Sequence, residues 1–484
     1  MAHLPSAASG NNAASSAQTH SPSAPTTLPR LLGPMEAITM VVGSMIGSGI
    51  FLKEAEIARQ LGSFGAIVAV WTVVGILTLC GALAVAELAA MLPHAGGPYV
   101  YLRRAYGSKV AYLWGWSEFA IVRTGTLGSL ASATVLYLRP LLALISSWLP
   151  ASWGPVHDLL ALPYWLQVAL TLAIIALLTW INARGTKYSA WTQNSTTFIK
   201  VAFLFILFAG PFCIGGWDSK NLMPIWPESL GWGFWKAVGL AMLGVYWPYD
   251  GWINVAPLAE EIQEPQKNVP RGLSLGLLLV IVVYVGTVTG YHLVLPMQSV
   301  QQTQTVAADV FAKLLGEWGI PLAATGVMFS TFGALNSNLM TGPRIYFALA
   351  RDGLFPRFLQ DIHSRHHTPA KAIWTQGLWA MLQVIVACLV SRSAGELFDY
   401  LTDMVVLAGT LFYMLSVGAV IVLRSTEANL DRPYRCWGYP ITPWIYLLGS
   451  TAVLCSGSWL QMGAVVGLLA MGLMIAPWLR SLES

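Results

Sequence analysis

From residue 34 onward the chain is a succession of apolar runs, each about 20 residues long, the length a helix needs to cross a bilayer, parted by short polar or proline-containing stretches. The pattern predicts twelve helical segments: Pro34 to Ala58, Gly65 to Leu92, Tyr112 to Ile145, Tyr164 to Ile181, Phe198 to Ile214, Gly231 to Ile262, Leu273 to Leu295, Ile320 to Ala350, Ala372 to Val390, Glu396 to Leu423, Ile441 to Trp459 and Gly463 to Trp478. Two of them are interrupted. The first carries GSMIGSGIF from Gly43 to Phe51 and the sixth carries VYWPYDGW from Val245 to Trp252, so glycine breaks a hydrophobic helix at matching places in the two halves. A bilayer core has no water to bond freed backbone groups, and a broken helix survives there only where it lines a cavity or is buried in protein. Paired breaks at equivalent positions mark a binding site near mid-membrane.

Composition agrees with that pattern. Hydrophobic residues make up 56% of the chain and charged residues 10%, against roughly 25% charged in soluble domains. Placing both termini in the cytoplasm puts seventeen of the 26 Lys and Arg on the cytoplasmic side and seven on the far side, with Arg123 and Lys200 inside spans. That bias orients the chain. The net charge of +4 is therefore topology, and no basic, aromatic-interleaved patch supports nucleic-acid binding. Residues 1–29 hold Ala, Ser, Pro and Thr in low-complexity runs without Lys or Arg, which predicts a disordered cytoplasmic tail and no signal peptide. Cys80, Cys213, Cys388, Cys436 and Cys455 are scattered without metal-ligand spacing and read as packing residues.

The two breaks carry complementary chemistry. After the first, the freed amides of Gly47, Ser48 and Gly49 stand at the positive end of a half-helix, a place for a carboxylate. Before the second, carbonyls around Tyr246, Trp247 and Pro248 form a negative end suited to an ammonium. One site offering both describes the backbone of an α-amino acid. The competing reading of GSMIGSG is a small-residue packing face, since Gly43 with Gly47 and Ser44 with Ser48 have that spacing. Lys200, in TTFIKVAFLF, is an ionisable residue inside a span and a functional candidate; the alternative is a side chain that snorkels to an interface. Asp250 reads as an N-cap for the second half-helix, or as a partner for a proton or a cationic substrate.

Several stretches, in order, resemble the amino acid/polyamine/organocation superfamily, and within it the L-type amino acid transporter branch with its bacterial relatives. They are GSMIGSGIF, AELAAMLPHAGGPYVYLRRAYG from Ala86, YDGWINVAPLAEEIQEPQKNVPRG from Tyr249, GPRIYFALARDGLFP from Gly342 and RPYRCWGYPITP from Arg432. The resemblance implies an all-α membrane protein of LeuT-like fold. Its twelve-helix domain, residues 30–484, would hold two inverted repeats of five helices, about 34–215 and 231–423, plus two C-terminal helices at about 441–478.

It also implies a substrate site of Ser44, Met45, Ile46, Gly47, Ser48, Gly49, Tyr246, Trp247, Tyr249, Asp250 and Gly251. Ser48 and Gly49 would hold the carboxylate; carbonyls of Met45, Ile46 and Trp247 would hold the amine, and Trp247 would close over the substrate. Lys200 matches a lysine that in sodium-independent members stands where coupled relatives hold the ion. Pro248 and Ile253 depart from the alanine and asparagine common in the family, which leaves the side chain of the substrate open. Arg123 resembles an arginine of L-type members and is expected in a buried pair.

The reading is a sodium-independent exchanger or permease for L-amino acids, taken as neutral, with no metal and no cofactor. Alternatives are a proton-coupled carrier of cationic amino acids or polyamines, and a membrane amino acid sensor. An enzyme would need a convergent nucleophile and base, whereas His94, His363, His366 and His367 fall in loops and His20 in the tail. Glu87, Glu260 and Glu261 fall at cytoplasmic ends of spans, as gate or loop salt bridges. Eukaryotic L-type members join a heavy chain through a cysteine between the third and fourth spans; the loop from Ser146 to Pro163 has none, so no covalent partner is expected. The expected location is the cell membrane.

Overall fold

A computed structural model of the chain describes residues 28–481, except 304, 390–393 and 456–458. The tail expected over 1–29 lies outside the described residues apart from Leu28 and Pro29. Among the described residues regular structure is helical, and extended backbone pairs only in a parallel bridge between Leu32 and Ile262. Among the described residues eight stretches of helix are long and apolar enough to cross a membrane, and Ile441–Leu454 and Val465–Pro477 are shorter apolar helices. Trp232–Tyr249 and Ala370–Cys388 stand where the apolar pattern places two further segments.

Both breaks are present. The first helix stops at Met45 and resumes at Gly49–Leu52, followed by Glu54–Leu61. The sixth segment runs as α-helix to Tyr249 and, after Asp250 and Gly251, continues as a 3-10 segment, Trp252–Glu261. Asp250 is not the N-cap: Gly251, at φ +94°, holds that position without a side-chain bond, and the Asp250 carboxylate instead accepts from the Tyr413 hydroxyl at 2.7 Å.

The helix bearing Lys200 begins at Thr186, twelve residues before the apolar run does. One face of its polar first turns, Thr186, Ser189, Gln193, Thr196 and Thr197, is buried in protein. Gln193 Nε2 and Thr197 Oγ1 both donate to the Thr39 carbonyl, at 3.4 and 3.3 Å, so hydropathy misreads a protein-facing polar stripe as a loop. The third segment holds a π turn, Glu118–Val122, ahead of the long helix Arg123–Trp148. Bonding from i to i+5 brings Glu118 and Arg123 to one face, where a regular α-helix would set them roughly 140° apart.

The two interrupted segments are central. The Pro34–Met45 helix packs on Pro265–Val294, Thr186–Ile214, Gly319–Arg351 and the 3-10 segment, and Phe64–Met91 lies along Pro265–Val294. The two ends of the bundle differ. At the end that the charge bias assigns to the cytoplasm, Glu261 pairs with Arg344 at 2.7 Å, both buried, and accepts from Thr186 at 2.8 Å. Glu87 pairs there with Arg424 and Arg432. Glu260 pairs with Arg351 and accepts from the amides of Leu28 and Ala95. All three glutamates thus form salt bridges, as their positions suggest. At the opposite end a vestibule of about 950 Å³ is lined by Lys53, Glu56, Arg59, Tyr137, Arg139 and His157 among others. The molecule is closed by ion pairs at one end and open at the other.

Candidate functional site

The two breaks interlock through their glycines. A Cβ on Gly49 would lie 2.7 Å from Cγ and 2.8 Å from Cα of Pro248, while a Cβ on Gly251 would lie 3.0 Å from that of Ser44. Each break therefore uses a missing side chain to let the other break's backbone approach. Around this contact Ser44, Met45, Gly47, Ser48, Gly49, Trp247, Asp250 and Gly251 line one cavity with Thr126, Leu130, Ala334 and Asn338. Its volume is about 20 Å³, room for about one water. A second cavity of similar size holds Tyr246, Tyr249 and the other side of Asp250, walled by Tyr413 and Tyr446. Ile46 lines neither.

Freed backbone groups are divided by sign. The amides of Ser48, Gly49 and Ile50 have no hydrogen-bond partner among the described residues, whereas those of Phe51 and Leu52 close back on the Ser48 carbonyl. Three adjacent donors left open in a buried site are a standing demand for an acceptor. The carbonyls of the same break are in part already used. Lys200, fully buried, donates from Nζ to the carbonyls of Gly43 at 2.8 Å, Ile46 at 2.7 Å and Ser330 at 3.0 Å. The Ser330 hydroxyl lies within bonding distance of the Ile46 and Gly47 carbonyls. The Ile46 carbonyl thus faces the Lys200 helix. Lys200 is a strut on the broken backbone and does not snorkel.

Trp247 is buried in an apolar cluster with Val122 and Ala133, against which Leu52 and Leu243 pack, and its Nε1 donates to the Ser48 hydroxyl at 3.4 Å. Trp247 lines the inner cavity, and Leu52, packed against the same cluster, lines the vestibule. Arg123 is buried in an ion pair with Glu118 and donates to Asn254 and Asn338. Asn254 belongs to the 3-10 segment, so this pair ties the third segment to the sixth. Gly43 supplies the small-residue packing that the spacing also allowed: a Cβ there would collide with the side chains of Gln193 and Thr197. Gly47 does not, its nearest neighbours being Ala334 and Leu130 at an ordinary 3.5 Å.

The family model described as Amino acid permease matches residues 32–474. The chain belongs to the amino acid permease family. The serine/threonine exchanger SteT of Bacillus subtilis (strain 168) is 29% identical over 433 residues, covering 89% of this chain and 91% of that one. A b(0,+)-type amino acid transporter 1 of Mus musculus is 29% identical over 424 residues, with 86% and 81% covered. A large neutral amino acids transporter small subunit 2 of Oryctolagus cuniculus is 30% identical over 442 residues, with 89% and 76% covered. As a member of the amino acid permease family, this chain is a multi-pass membrane protein that transports amino acids.

Several residues of this permease's centre escape sequence reasoning. Ser330 and Tyr413 are ordinary polar residues in apolar runs until the fold brings them to Ile46 and Asp250. Glu54 and His292 are buried together, Glu54 Oε1 and His292 Nε2 lying 2.8 Å apart, and Glu54 Oε2 accepts from Trp71 Nε1 at 2.9 Å. A signal was available for this pair, since each is an ionisable residue within an apolar segment.

Proposed function

We propose that this permease is a sodium-independent exchanger or permease of neutral L-amino acids, working by alternating access between two inverted repeats of a LeuT-like, twelve-span fold, with both termini in the cytoplasm of a cell-membrane protein. The observation that carries the reading is the row of three open amides, Ser48 to Ile50, set beside the C-terminal end of the Trp232–Tyr249 helix. The amides take the carboxylate. Carbonyls of Met45 and Trp247 serve the ammonium, Ser44, Gly47, Gly49 and Gly251 shape the cavity wall, and Trp247 closes over the substrate. The cavity of about 20 Å³ belongs to the closed arrangement and must widen to admit an amino acid. Lys200 supplies a tethered charge at the first break, which removes the need for a sodium ion from solution. The 146–163 loop contains no cysteine, which favours a chain acting without a disulfide-linked heavy chain, and no enzymatic step is assigned.

A second reading, a carrier of cationic amino acids or polyamines, is favoured by one observation: Asp250 lines both inner cavities. The discriminating experiment is uptake into proteoliposomes, with and without internal amino acid, competed by all twenty amino acids and putrescine. Leucine, serine or threonine should compete best, and replacing sodium by choline should change nothing. Best competition by arginine or putrescine transfers the assignment to the second reading. Absence of any amino acid uptake removes the first reading, and absence of putrescine uptake as well removes both.

A further inference from the structure

The turn that joins Tyr164–Ala183 to Thr186–Ile214 gathers positive charge that its surroundings do not neutralise. Arg184 and Lys187 stand exposed on it. The 363–368 loop docks against the same turn: Thr368 Oγ1 donates to the Ala183 carbonyl at 3.0 Å, and the His366 carbonyl comes within 4.0 Å of where a Cβ on Gly185 would stand. That contact brings His363, Arg365 and His366 alongside. Among the described residues none of Arg184, Lys187 and Arg365 forms an ion pair. Acids on or against the same elements are engaged elsewhere. Asp361 pairs with Lys371 at 2.6 Å, and Glu36 holds the Gly33 amide and the Asn194 side chain.

Desolvation, and after it His363, Arg365 and Arg184, hold the His366 imidazole below its ordinary value, as neighbours of like charge do. His363 Nδ1 accepts from the amides of Arg365 and His366 at 3.2 and 3.3 Å, which leaves the proton on Nε2 as a further donor.

The turn is also flanked by exposed aromatic rings. Trp180, Tyr188 and Trp191, within two helical turns of Gly185, are 46%, 67% and 72% exposed. The Arg184 guanidinium lies over the Trp180 ring, 4.3 Å from its centroid. Large aromatics exposed at a helix end of a membrane protein sit at headgroup depth, and cations beside them meet phosphates there. A soluble anion would use the cations and leave the rings idle. A phospholipid uses both.

We propose that the 184–188 turn and the 363–367 loop form a binding site for the phosphate headgroup of an anionic phospholipid, with Arg184, Lys187, Arg365 and His363 Nε2 on the headgroup and Trp180, Tyr188 and Trp191 along its glycerol and upper acyl chains. The site adjoins the closed end of the bundle. The Thr186 hydroxyl, beside Gly185 and Lys187, donates to Glu261 at 2.8 Å and accepts from Arg344 at 3.1 Å, so a bound lipid braces the turn that supports this ion pair. Lipid binding here does not depend on which amino acid is carried.

The test uses the full chain in nanodiscs of phosphatidylcholine alone, or of phosphatidylcholine and phosphatidylglycerol in equal parts. The mixed bilayer should raise the thermal midpoint by a few degrees, by less as salt approaches ~1 M, where charges are screened within ~3 Å. Native mass spectrometry should find phosphatidylglycerol retained on the protein. Arg184→Gln combined with Arg365→Gln should lose both signals. Lys109→Gln combined with Arg271→Gln, exposed cations outside the cluster, should keep them. No rise in the wild type, or equal loss in the two double variants, overturns the site, the second result because it reports a diffuse surface field. Inorganic phosphate added to phosphatidylcholine nanodiscs should leave the midpoint unmoved; a rise matching that of phosphatidylglycerol overturns the lipid as occupant. Should the glutamine variants fail to insert, the wild type decides alone: phosphatidylglycerol with a photoreactive headgroup should label 180–191 and 363–367, and labelling that spares both segments defeats the proposal.

Discussion

The interlock of the two breaks can be measured through Gly49→Ala. The added methyl would sit 2.7, 2.8 and 3.0 Å from Cγ, Cα and Cδ of Pro248, where carbon atoms ordinarily rest about 3.5–4.0 Å apart. Pro248 cannot rotate away, because all three atoms belong to its ring and one of them, Cα, is also backbone. The breaks must therefore separate by roughly 0.7 Å, and overpacking of this kind costs about 1–3 kcal/mol. If that cost falls on the closed arrangement, its population relative to arrangements with parted breaks drops roughly 5- to 150-fold. Transport must pass through the closed arrangement, so initial uptake into proteoliposomes should fall about fivefold or more. The thermal midpoint of the purified protein should drop by a few degrees.

Gly47→Ala is the matched control. Its methyl meets only Ala334 and Leu130 at 3.5 Å, so the midpoint should hold. Both neighbours line the inner cavity, and the methyl should raise KM by occupying it. Wild-type stability and turnover in Gly49→Ala would refute the interlock, as would a Gly47→Ala protein destabilised to the same degree.

Two further perturbations test the supports around the site. Lys200→Ala removes three charge-assisted bonds to carbonyls of Gly43, Ile46 and Ser330, each worth roughly 1.5–3 kcal/mol; uptake rate should collapse more than substrate affinity, and strict sodium dependence of the wild type or unchanged turnover of the variant would contradict this role. Arg344→Ala leaves Glu261 buried without its cation, which costs about 3–5 kcal/mol at the closed end. A cysteine placed at Ala259, in a background lacking the native cysteines, should then react faster with an impermeant maleimide from the cytoplasmic side, and an unchanged rate would show that the pair does not hold that end shut.

The apolar pattern alone determined that the chain is helical and membrane-embedded, where most helices begin and end, and that two of them break at glycine. Those properties are local: span length follows from bilayer thickness, and a glycine cluster within an apolar run shows itself without knowledge of its neighbours. The same holds for Lys200, Glu87, Glu260 and Glu261, because a charge in or beside an apolar segment announces that it needs a partner.

Which partner it finds is a tertiary matter. Sequence could not place Tyr284 between two carbonyls more than 200 residues apart, nor turn Asp250 away from a capping role toward Tyr413. Neither could it separate Gly43, packed on the Lys200 helix, from Gly47, which faces the cavity, since both fit one small-residue spacing. The buried polar face from Thr186 to Thr197 is hidden from the apolar pattern for the same reason. Hydropathy records how a side chain prefers water over hydrocarbon, whereas these side chains meet neither, and only the packing of one helix on another decides what a buried polar group will bond.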